Sequence, residues 1–573
     1  MAGNRTAYYH TPDLNLIQEA VVIGNGLVRP DTPDVGSASG PAYAQAYPLT
    51  LPYYLLGTYG LLFTFGFVAG VFSNPHALGT FLTTHRLLPI LPITSVLALT
   101  VVTGAAVPIA YVASRKLNPA HTGWLAAGFV AFDLLLIHLS HQPRPHAPLA
   151  TFSFVAVVLL VRLAVIQGGW QGGVAATIAS GLTIGVLQSG AVILLPYGLA
   201  WLIRLFDAAR DGRFRREFAW CATDTMLLAG LVWLLYPGAV GEYLRFARDI
   251  VAGSPSYSLG DGVHTFSRSD FSLANVPAFA SGLFGYQPLQ IALLPVAFPV
   301  FIWKLRTHWR ILAVGLPLPM INVLMWGLYA DDAPRFWATV ALFNCFVCAY
   351  LVEEVIHLTV RTFHLRKPVW VGVAMLIIVG PTALQATRLV LVLCRTDTRS
   401  LAERWIMTNV PANSALIDGI ESSTLLPNQA SLRQQNTDHP GSLDSYRESL
   451  LQRSGADYPR GPAFDMVDLA LYWSDDPLAQ ARLVENRKVE YVVGDVEDST
   501  GAGAGSLLDY ARQYGQAVKT FCPGRLDDFS LPGHIERGAW WRIWAVNRPG
   551  PMVVVYRLGH GRQNPPPASM CRP

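Results

Sequence analysis

The segment that decides the fold is Leu149-Ala-Thr-Phe-Ser-Phe-Val-Ala-Val-Val-Leu-Leu-Val-Arg-Leu-Ala-Val-Ile-Gln167. It carries one charge, at Arg162, and matches the length of helix that a bilayer core requires. Similar segments recur along the chain, which predicts a bundle of about ten membrane spans. They lie at 90–114, 121–139, 149–167, 173–188, 190–206, 218–237, 285–304, 309–330, 335–356 and 368–394.

The composition supports a membrane protein. Of the 573 residues, 52% are hydrophobic and 14% are charged, with a mean hydropathy of +0.34, whereas a soluble domain has about a quarter of its residues charged. The net charge of +4 is modest, and the basic residues sit in separated loops rather than in one stripe. This distribution is not that of a nucleic-acid-binding protein, so no nucleic-acid partner is expected.

The positions of Lys and Arg predict the orientation in the membrane. Four basic clusters fall in alternate loops, at Arg115 and Lys116, Arg204 to Arg216, Lys304 to Arg310, and Arg361 to Lys367. Positively charged loops stay in the cytoplasm, so the other loops and the tail after Cys394 are expected outside the cell. The chain is therefore predicted to be a multi-pass protein of the plasma membrane.

Three regions follow from this topology. Residues 1–89 form a first extracytoplasmic loop with juxtamembrane helices, 90–394 form the transmembrane helical domain, and 395–573 form an extracytoplasmic α/β domain with a disordered end. The stretch 47–72 is apolar but interrupted by Pro and Gly, and we expect it to lie in the membrane interface. Residues 1–47 contain neither a span nor a signal peptide, and we expect a further helix to precede Met1.

The tail is the part of the chain with soluble character. The runs Tyr491-Val-Val-Gly and Met552–Tyr556 predict strands, and Leu507–Tyr514 predicts a helix between them. The fold class is therefore a multi-span α-helical membrane protein with a small C-terminal α/β domain.

Six cysteines are spread along the chain without metal-binding spacing. Cys345 and Cys348 form a C-x-x-C inside an apolar helix, where packing is a better explanation than redox chemistry. Cys522 and Cys571 are candidates for a disulfide if the tail lies outside the cytoplasm.

Asp13 is the leading candidate for chemistry. It follows a Thr-Pro pair and precedes Leu14, Ile17 and Val21 at helical spacing, so its carboxylate would stand at a helix start. The simpler interpretation is an N-cap, for which Asp is among the commonest residues.

Other polar side chains collect in the predicted outer loops, and most of them are imidazoles and guanidiniums. The candidate substrate-binding residues among them are His141, Arg144, His146, His264, Arg268 and Arg335. Each has an ordinary explanation as a loop or headgroup residue. As a set beside a membrane, they suit a substrate with an anionic head and a lipid tail.

Several motifs resemble those of the GT-C superfamily of membrane glycosyltransferases, in particular its protein mannosyltransferase and aminoarabinose transferase branch. Tyr9-His-Thr-Pro-Asp-Leu14 resembles the first outer loop of that family, and Ser140-His-Gln-Pro-Arg-Pro-His-Ala-Pro-Leu149 resembles the second. Gly181–Ser189 is similar to a stretch that ends in Lys-Tyr in many relatives. Arg335-Phe336 resembles the Arg-Tyr that opens a late helix, and Asp397–Trp405 resembles the entry to the outer domain.

The resemblance implies an inverting transferase that moves a sugar from a polyprenyl-phosphate donor to a protein, lipid or glycan acceptor at the outer membrane face. Asp13 matches the catalytic Asp of the family. Leu14 stands where Glu is usual, His146 replaces a second acidic residue, and Gln188 replaces a Lys. Since His146 is a poorer partner for a hard divalent cation than a carboxylate, no metal cofactor is expected to be required.

Two other classes of protein remain as alternatives. One is a catalytically inactive GT-C-like scaffold that binds lipid. The other is a transporter, which would place ionisable groups near the middle of the membrane. Asp133 is the one mid-span carboxylate of note, and pairing with a neighbouring helix would explain it equally well.

Overall fold

The computed structural model describes residues 48–71, 73, 90–117, 123–141, 144–166, 169–254, 256–259, 264–329, 334–363, 366–420, 425–443, 445–452, 458, 461–474, 476–495, 504–524 and 542–559. These residues divide into two compact units. The membrane unit contains 48–68 and 91–387, and the C-terminal unit contains 388–559 together with 69–71, 73 and 90.

Helices make up the described chain as far as residue 393, apart from one short hairpin of β1 (Ser256–Leu259) and β2 (His264–Ser267). They are α1 (Thr50–Val68), α2 (Ile90–Gly104), α3 (Ala106–Leu117), α4 (Trp124–Ala131), α5 (Leu134–Ser140), α6 (His146–Ile166), α7 (Trp170–Ile184), α8 (Leu194–Arg210), α9 (Phe214–Leu235), α10 (Ala239–Val251), α11 (Val276–Tyr286), α12 (Pro288–Leu305), α13 (Trp309–Gly315), α14 (Pro317–Leu328), α15 (Ala338–Phe363), α16 (Lys367–Ala374) and α17 (Gly380–Leu393).

Within the described ranges, eight helical stretches are long and apolar enough to cross a membrane. They are Thr50–Val68, Ile93–Lys116, His146–Ile166, Gln188–Arg210, Phe214–Leu235, Pro288–Gly315, Arg335–Phe363 and Pro368–Asn409. Helices of this length satisfy their own backbone hydrogen bonds, which is what a lipid environment demands. The prediction of a multi-span helical protein is confirmed.

Several predicted spans are not continuous helices, and that part of the sequence prediction is wrong. The span predicted at 121–139 breaks at Asp133, whose side chain caps α5. The span predicted at 309–330 is divided at Leu316, because the residue before Pro317 is disfavoured in a helix. The span predicted at 173–188 is a helix of 15 residues, followed by a 3-10 turn at Gln188–Ile193.

The basic loops meet at one end of the membrane unit. Arg310 donates to Asp207 at 2.8 Å, which joins two of the predicted cytoplasmic loops. Beside the Arg115 cluster, Ser114 donates to Glu353 at 3.4 Å, and the next residue, Glu354, pairs with Lys304 at 2.9 Å. We call this the basic end. The first residues of α6 and of the Arg335–Phe363 span lie at the opposite end, which we call the site end.

Helix α1 begins at the site end. The backbone N–H of Leu49 donates to the carbonyl of Leu235 at 2.6 Å, and that of Thr50 to the carbonyl of Gly185 at 2.9 Å. Gly185 is required here, because a Cβ would collide with the Thr50 hydroxyl. The interfacial position expected for this stretch remains a prediction, since α1 also has the length and composition of a span.

The C-terminal unit is built on a six-stranded sheet with the order β4-β5-β3-β6-β8-β7. Its strands are β3 (Ala415–Gly419), β4 (Leu426–Pro427), β5 (Ala463–Asp468), β6 (Tyr491–Asp495), β7 (Gly515–Phe521) and β8 (Val553–Leu558). The first four in sheet order are parallel, and β8 and β7 are antiparallel to their neighbours. Its helices are α18 (Thr398–Asn409), α19 (Gln429–Asp438), α20 (Ser445–Gln452), α21 (Leu469–Tyr472), α22 (Pro477–Asn486), α23 (Ala504–Tyr514) and α24 (Arg542–Ala545).

These elements confirm the predicted α/β tail, including the strands β6 and β8 and the helix α23 between them. Val492 and Val493 point to opposite faces of the sheet, and each lies in a separate apolar core. A sheet buried on both faces explains why its strands are runs of apolar residues rather than alternating ones.

The cysteines behave as the sequence indicates. Cys345 and Cys348 are free and buried in α15, and the thiol of Cys348 donates to the carbonyl of Gln290 at 3.3 Å. Cys522 is disulfide-bonded; its predicted partner, Cys571, lies outside the described residues, so that pairing stays a prediction.

Candidate functional site

Two of the predicted site residues meet on one aromatic ring. The ring of His146 contacts the ring of Phe336 edge to face, with 5.4 Å between the centroids. The guanidinium carbon of Arg335 lies 5.0 Å from the centroid of the same ring. A cation over an aromatic face is attracted by the negative charge of that face. The structure therefore gathers an imidazole and a guanidinium around Phe336.

Both residues stand where long helices begin. His146 is the first residue of α6, and Arg335 lies in a 3-10 turn, Pro334–Trp337, that leads into α15. The first turns of α6 and α15 contain no acidic residue. Unpaired N–H groups and the helix dipole make a helix start electropositive. Two such starts with Arg335 form a local environment that favours an anion.

Three further aromatic residues extend this environment, and with Phe336 they form what we call the aromatic cluster. Trp326 stacks on Phe336, with 4.3 Å between the centroids and 11° between the planes. Tyr329 contacts both rings, and Phe271 lies 5.3 Å from Tyr329. Trp326 is held in place by a hydrogen bond from its indole N–H to Asn322 at 3.2 Å. The cluster offers flat apolar faces beside the cationic group.

The backbone also holds the cluster together. Phe271 and Tyr329 are joined by an antiparallel bridge, and the N–H of Ser272 donates to the carbonyl of Leu328 at 2.8 Å. The side chain of Asn275 donates to the same carbonyl at 2.7 Å. The loop before α11 is thus fixed to the end of α14.

His141 is the C-cap of α5 and presents one tautomer. Its Nδ1 lies 2.7 Å from the carbonyl oxygen of Ile137, and because that oxygen only accepts, Nδ1 carries the hydrogen. Burial lowers the pKa of His141. The neutral ring therefore keeps Nε2 as an acceptor. Arg144, a few residues further on, is buried.

Gln188 begins the 3-10 turn after α7, and its side chain is buried. Its carbonyl accepts a hydrogen bond from the hydroxyl of Tyr243 at 2.8 Å. Tyr243 lies on α10, which follows the span α9 after a short turn. The turn at Gln188 packs against α6 and α14, so Gln188 belongs to the wall that supports the site.

The remaining predicted residues are described incompletely or not at all. Asp13 and Leu14 lie outside the described residues. His264 begins β2 and Arg268 begins a 3-10 turn, but the structure describes only their backbone. The turn at Arg268 ends at Asp270, directly before Phe271 of the aromatic cluster.

Sequence reasoning found Arg335 and His146 but missed Phe271, Trp326 and Tyr329. A signal was present, since Trp326 and Tyr329 stand at the end of a predicted span, where aromatic residues collect at the membrane edge. What the sequence did not indicate is that these rings would form one cluster with Phe336.

The comparisons with known proteins bear on this segment of the chain. Residues 79–243 match the family model described as dolichyl-phosphate-mannose-protein mannosyltransferase. The match includes His141, Arg144, His146 and Gln188. It confirms the predicted resemblance to GT-C membrane glycosyltransferases for this segment. No curated protein matches the sequence.

Solved structures of low sequence identity were also found. The oligosaccharyltransferase AglB from Archaeoglobus fulgidus, in complex with an inhibitory peptide and a dolichol-phosphate, is 11% identical with a TM-score of 0.44, over 89% of this chain and 69% of that one. ArnT from Cupriavidus metallidurans in the apo state is 12% identical with a TM-score of 0.40, over 94% and 97%. ArnT bound to undecaprenyl phosphate is 12% identical with a TM-score of 0.36, over 96% and 99%.

Proposed function

We propose that this protein is an integral-membrane glycosyltransferase that moves a sugar from a polyprenyl-phosphate donor to an acceptor at the outer face of the membrane, with inversion. The observation that carries the proposal is the convergence of His146 and Arg335 on Phe336, where two long apolar helices begin. The family match over residues 79–243 supports the same class of enzyme.

The chemistry of a lipid-linked phosphate fits this arrangement. Arg335 offers a planar fork of N–H donors that matches two phosphate oxygens. His146 and the electropositive helix starts add further attraction for the anion. The aromatic cluster provides apolar faces for the first part of the prenyl chain or for the sugar ring. Arg144, His141 and Gln188, with His264 and Arg268, are proposed to complete the substrate contacts.

Asp13 is proposed as the general base. It takes the proton from the acceptor nucleophile while the nucleophile bonds to the anomeric carbon. The bond from that carbon to the phosphate oxygen breaks, and its electrons leave with the lipid phosphate. A single displacement of this kind inverts the anomeric configuration. Arg335 and His146 would stabilise the negative charge that grows on the leaving phosphate.

The proposed outer location rests on two features, one for the site and one for the C-terminal unit. The basic loops collect at the opposite end of the membrane unit, as the rule for cytoplasmic loops requires. In addition, Cys522 of the C-terminal unit is disulfide-bonded, and disulfides persist outside the reducing cytoplasm. Protein, lipid and glycan acceptors are all compatible with an outer site.

The test is a transfer and hydrolysis assay of the full chain in lipid nanodiscs with a panel of polyprenyl-phosphate sugars. We expect release of lipid phosphate from one donor class, and loss of that release in Asp13→Asn with lipid binding retained. Unchanged turnover in Asp13→Asn would overturn the role of Asp13. Binding of polyprenyl phosphate without transfer from any donor would instead identify a lipid-binding scaffold.

A further inference from the structure

Two helix interruptions meet inside the membrane unit. One separates α4 from α5 at Asp133, and the other separates α11 from α12 at Gln287. Both side chains are fully buried, at 0% exposure. The amide nitrogen of Gln287 donates to one carboxylate oxygen of Asp133. A carboxylate and a carboxamide thus join two broken helices across 154 residues of sequence.

Each interruption has a local cause. Asp133 has an extended backbone, and its other carboxylate oxygen accepts from the N–H of Leu136 at 2.8 Å, as an N-cap does. Gln287 precedes Pro288, which disfavours a helical conformation at the residue before it. The two breaks are therefore set separately in the sequence, and the fold brings them together.

Helix α15 completes the network. The amide nitrogen of Gln287 also donates to the carbonyl of Ala341 at 2.9 Å, and its oxygen accepts from Asn344 at 3.3 Å. The thiol of Cys345 donates to Asp133 at 3.4 Å. Buried polar groups are costly unless they are paired. This network pairs them and fixes the two breaks on the helix that Arg335 precedes.

The helical segment next to each break leads to residues of the proposed site. From Asp133, α5 runs to His141 at its C-cap. From Gln287, α11 runs back past Gly282 and Phe279, which pack against Trp337, the neighbour of Phe336. A Cβ at position 282 would collide with the Trp337 ring, so this contact is close.

A second contact joins α5 and α11 close to the breaks. The ring of His138 on α5 lies 6.1 Å from the ring of Tyr286 on α11. Both residues are buried. This contact joins α5 to the last residue of α11, next to the break at Gln287.

We propose that Asp133 and Gln287 are positioning residues: they set α5 relative to α11, so that His141 and the aromatic cluster face one substrate. This inference rests on the proposed function. His146 and Arg335 begin other helices, so the phosphate contacts do not depend directly on the pair. Loss of the hydrogen bond between Asp133 and Gln287 is expected to lower the rate of sugar transfer far more than the affinity for lipid phosphate. The reason is that misplacement of reacting groups lowers the rate steeply.

The experiment uses the full chain in nanodiscs and compares Asp133→Asn with wild type. Asparagine keeps the size of the side chain, but an NH2 group replaces one of the two carboxylate oxygens. Since both oxygens accept hydrogen bonds, from Leu136 and Gln287, the NH2 group would face another donor. We expect kcat to fall at least tenfold while the Kd for polyprenyl phosphate changes less than twofold.

Glu217→Gln is the matched control. The substitution removes the negative charge of Glu217, whose Oε2 lies 2.6 Å from Nε of Arg204 in a buried ion pair at the basic end. It should lower the melting temperature as Asp133→Asn does, without changing kcat. Gln287→Met, which keeps volume and removes both hydrogen-bonding groups, provides the same test if Asp133→Asn does not accumulate.

The outcomes separate the two proposals. If wild type transfers sugar and Asp133→Asn shows the kinetics of the control, the positioning role is overturned and the proposed function stands. An equal loss of lipid-phosphate binding and of kcat would also overturn it. If wild type transfers from no donor, both proposals fail together.

Discussion

The rings of His146 and Phe336 are nearly perpendicular, with 5.4 Å between their centroids and 75° between their planes. Phe336 also lies under the guanidinium of Arg335, so one uncharged ring contacts both the imidazole and the guanidinium. This arrangement leads to the first prediction.

Replacing Arg335 by Gln is expected to raise the KM for the donor about tenfold to a hundredfold, because a charge-assisted hydrogen bond contributes about 1.5–3 kcal/mol. Arg335→Lys should recover only part of the loss, since an ammonium lacks the planar fork. Donor titrations of the transfer rate measure this. Arg366→Gln, an exposed arginine in the 361–367 basic cluster, is the control and should leave KM unchanged. Equal KM values in wild type and Arg335→Gln would contradict the assignment.

Replacing Phe336 by Leu tests the ring itself. The loss of aromatic contacts is expected to cost about 1 kcal/mol of unfolding free energy beyond the lost area, seen as a lower melting temperature, together with a higher donor KM. Phe343→Leu provides a matched control, because Phe343 makes a similar edge contact with Phe154, 5.5 Å between centroids, deeper in the bundle. That variant should lose stability and keep KM. A KM change of the same size in both variants would show that the effect is not local to the site.

His141 should make stability depend on pH. Its pKa is lowered by burial in the folded state, so between the folded pKa and the unfolded value of about 6.5 the unfolded chain binds more protons. Its contribution is therefore fully present above the unfolded pKa and is lost as the pH falls below it. In His141→Asn, the amide can still donate to Ile137 but does not titrate. The difference in melting temperature between wild type and this variant should change from pH 7.5 to 5.5 in favour of the variant. His308→Asn, at an exposed histidine, should show no such trend.

Metal removal should have little effect on transfer. By the motif resemblance, His146 stands where GT-C enzymes have a second acidic residue, and a neutral imidazole is a weaker ligand than a carboxylate for Mg²⁺ or Mn²⁺. The measurement is the transfer rate before and after incubation with EDTA, with readdition of each metal. Complete loss that manganese or magnesium restores would contradict this expectation. The same measurement on His146→Asp tests the position. If residue 146 lies close to the phosphate, EDTA should lower the transfer rate of this variant more than that of wild type.

The sequence alone determined the class of protein and the layout of the chain. Long apolar segments and sparse charge are local properties, and they indicate membrane helices whatever the tertiary arrangement is. The same holds for the tail, where the strand Tyr491–Asp495 and the helix Ala504–Tyr514 lie where the pattern predicts them. Motif resemblance placed Arg144, His146 and Arg335 among the candidate residues, and the family match later covered the first two of them.

Only the tertiary structure decided which residues meet. Asp133 looked like an isolated carboxylate in a span, and its partner Gln287 carries no signal of its own, because a residue before proline is ordinary wherever a helix restarts. The contact of His146 with Phe336 also joins segments far apart in the chain. A sequence pattern reports the environment that each segment prefers, whereas contacts across the bundle depend on how several helices pack at once. For that reason the sequence predicted the spans and many of the polar groups, and the packing of α6, α11, α14 and α15 made them into a site.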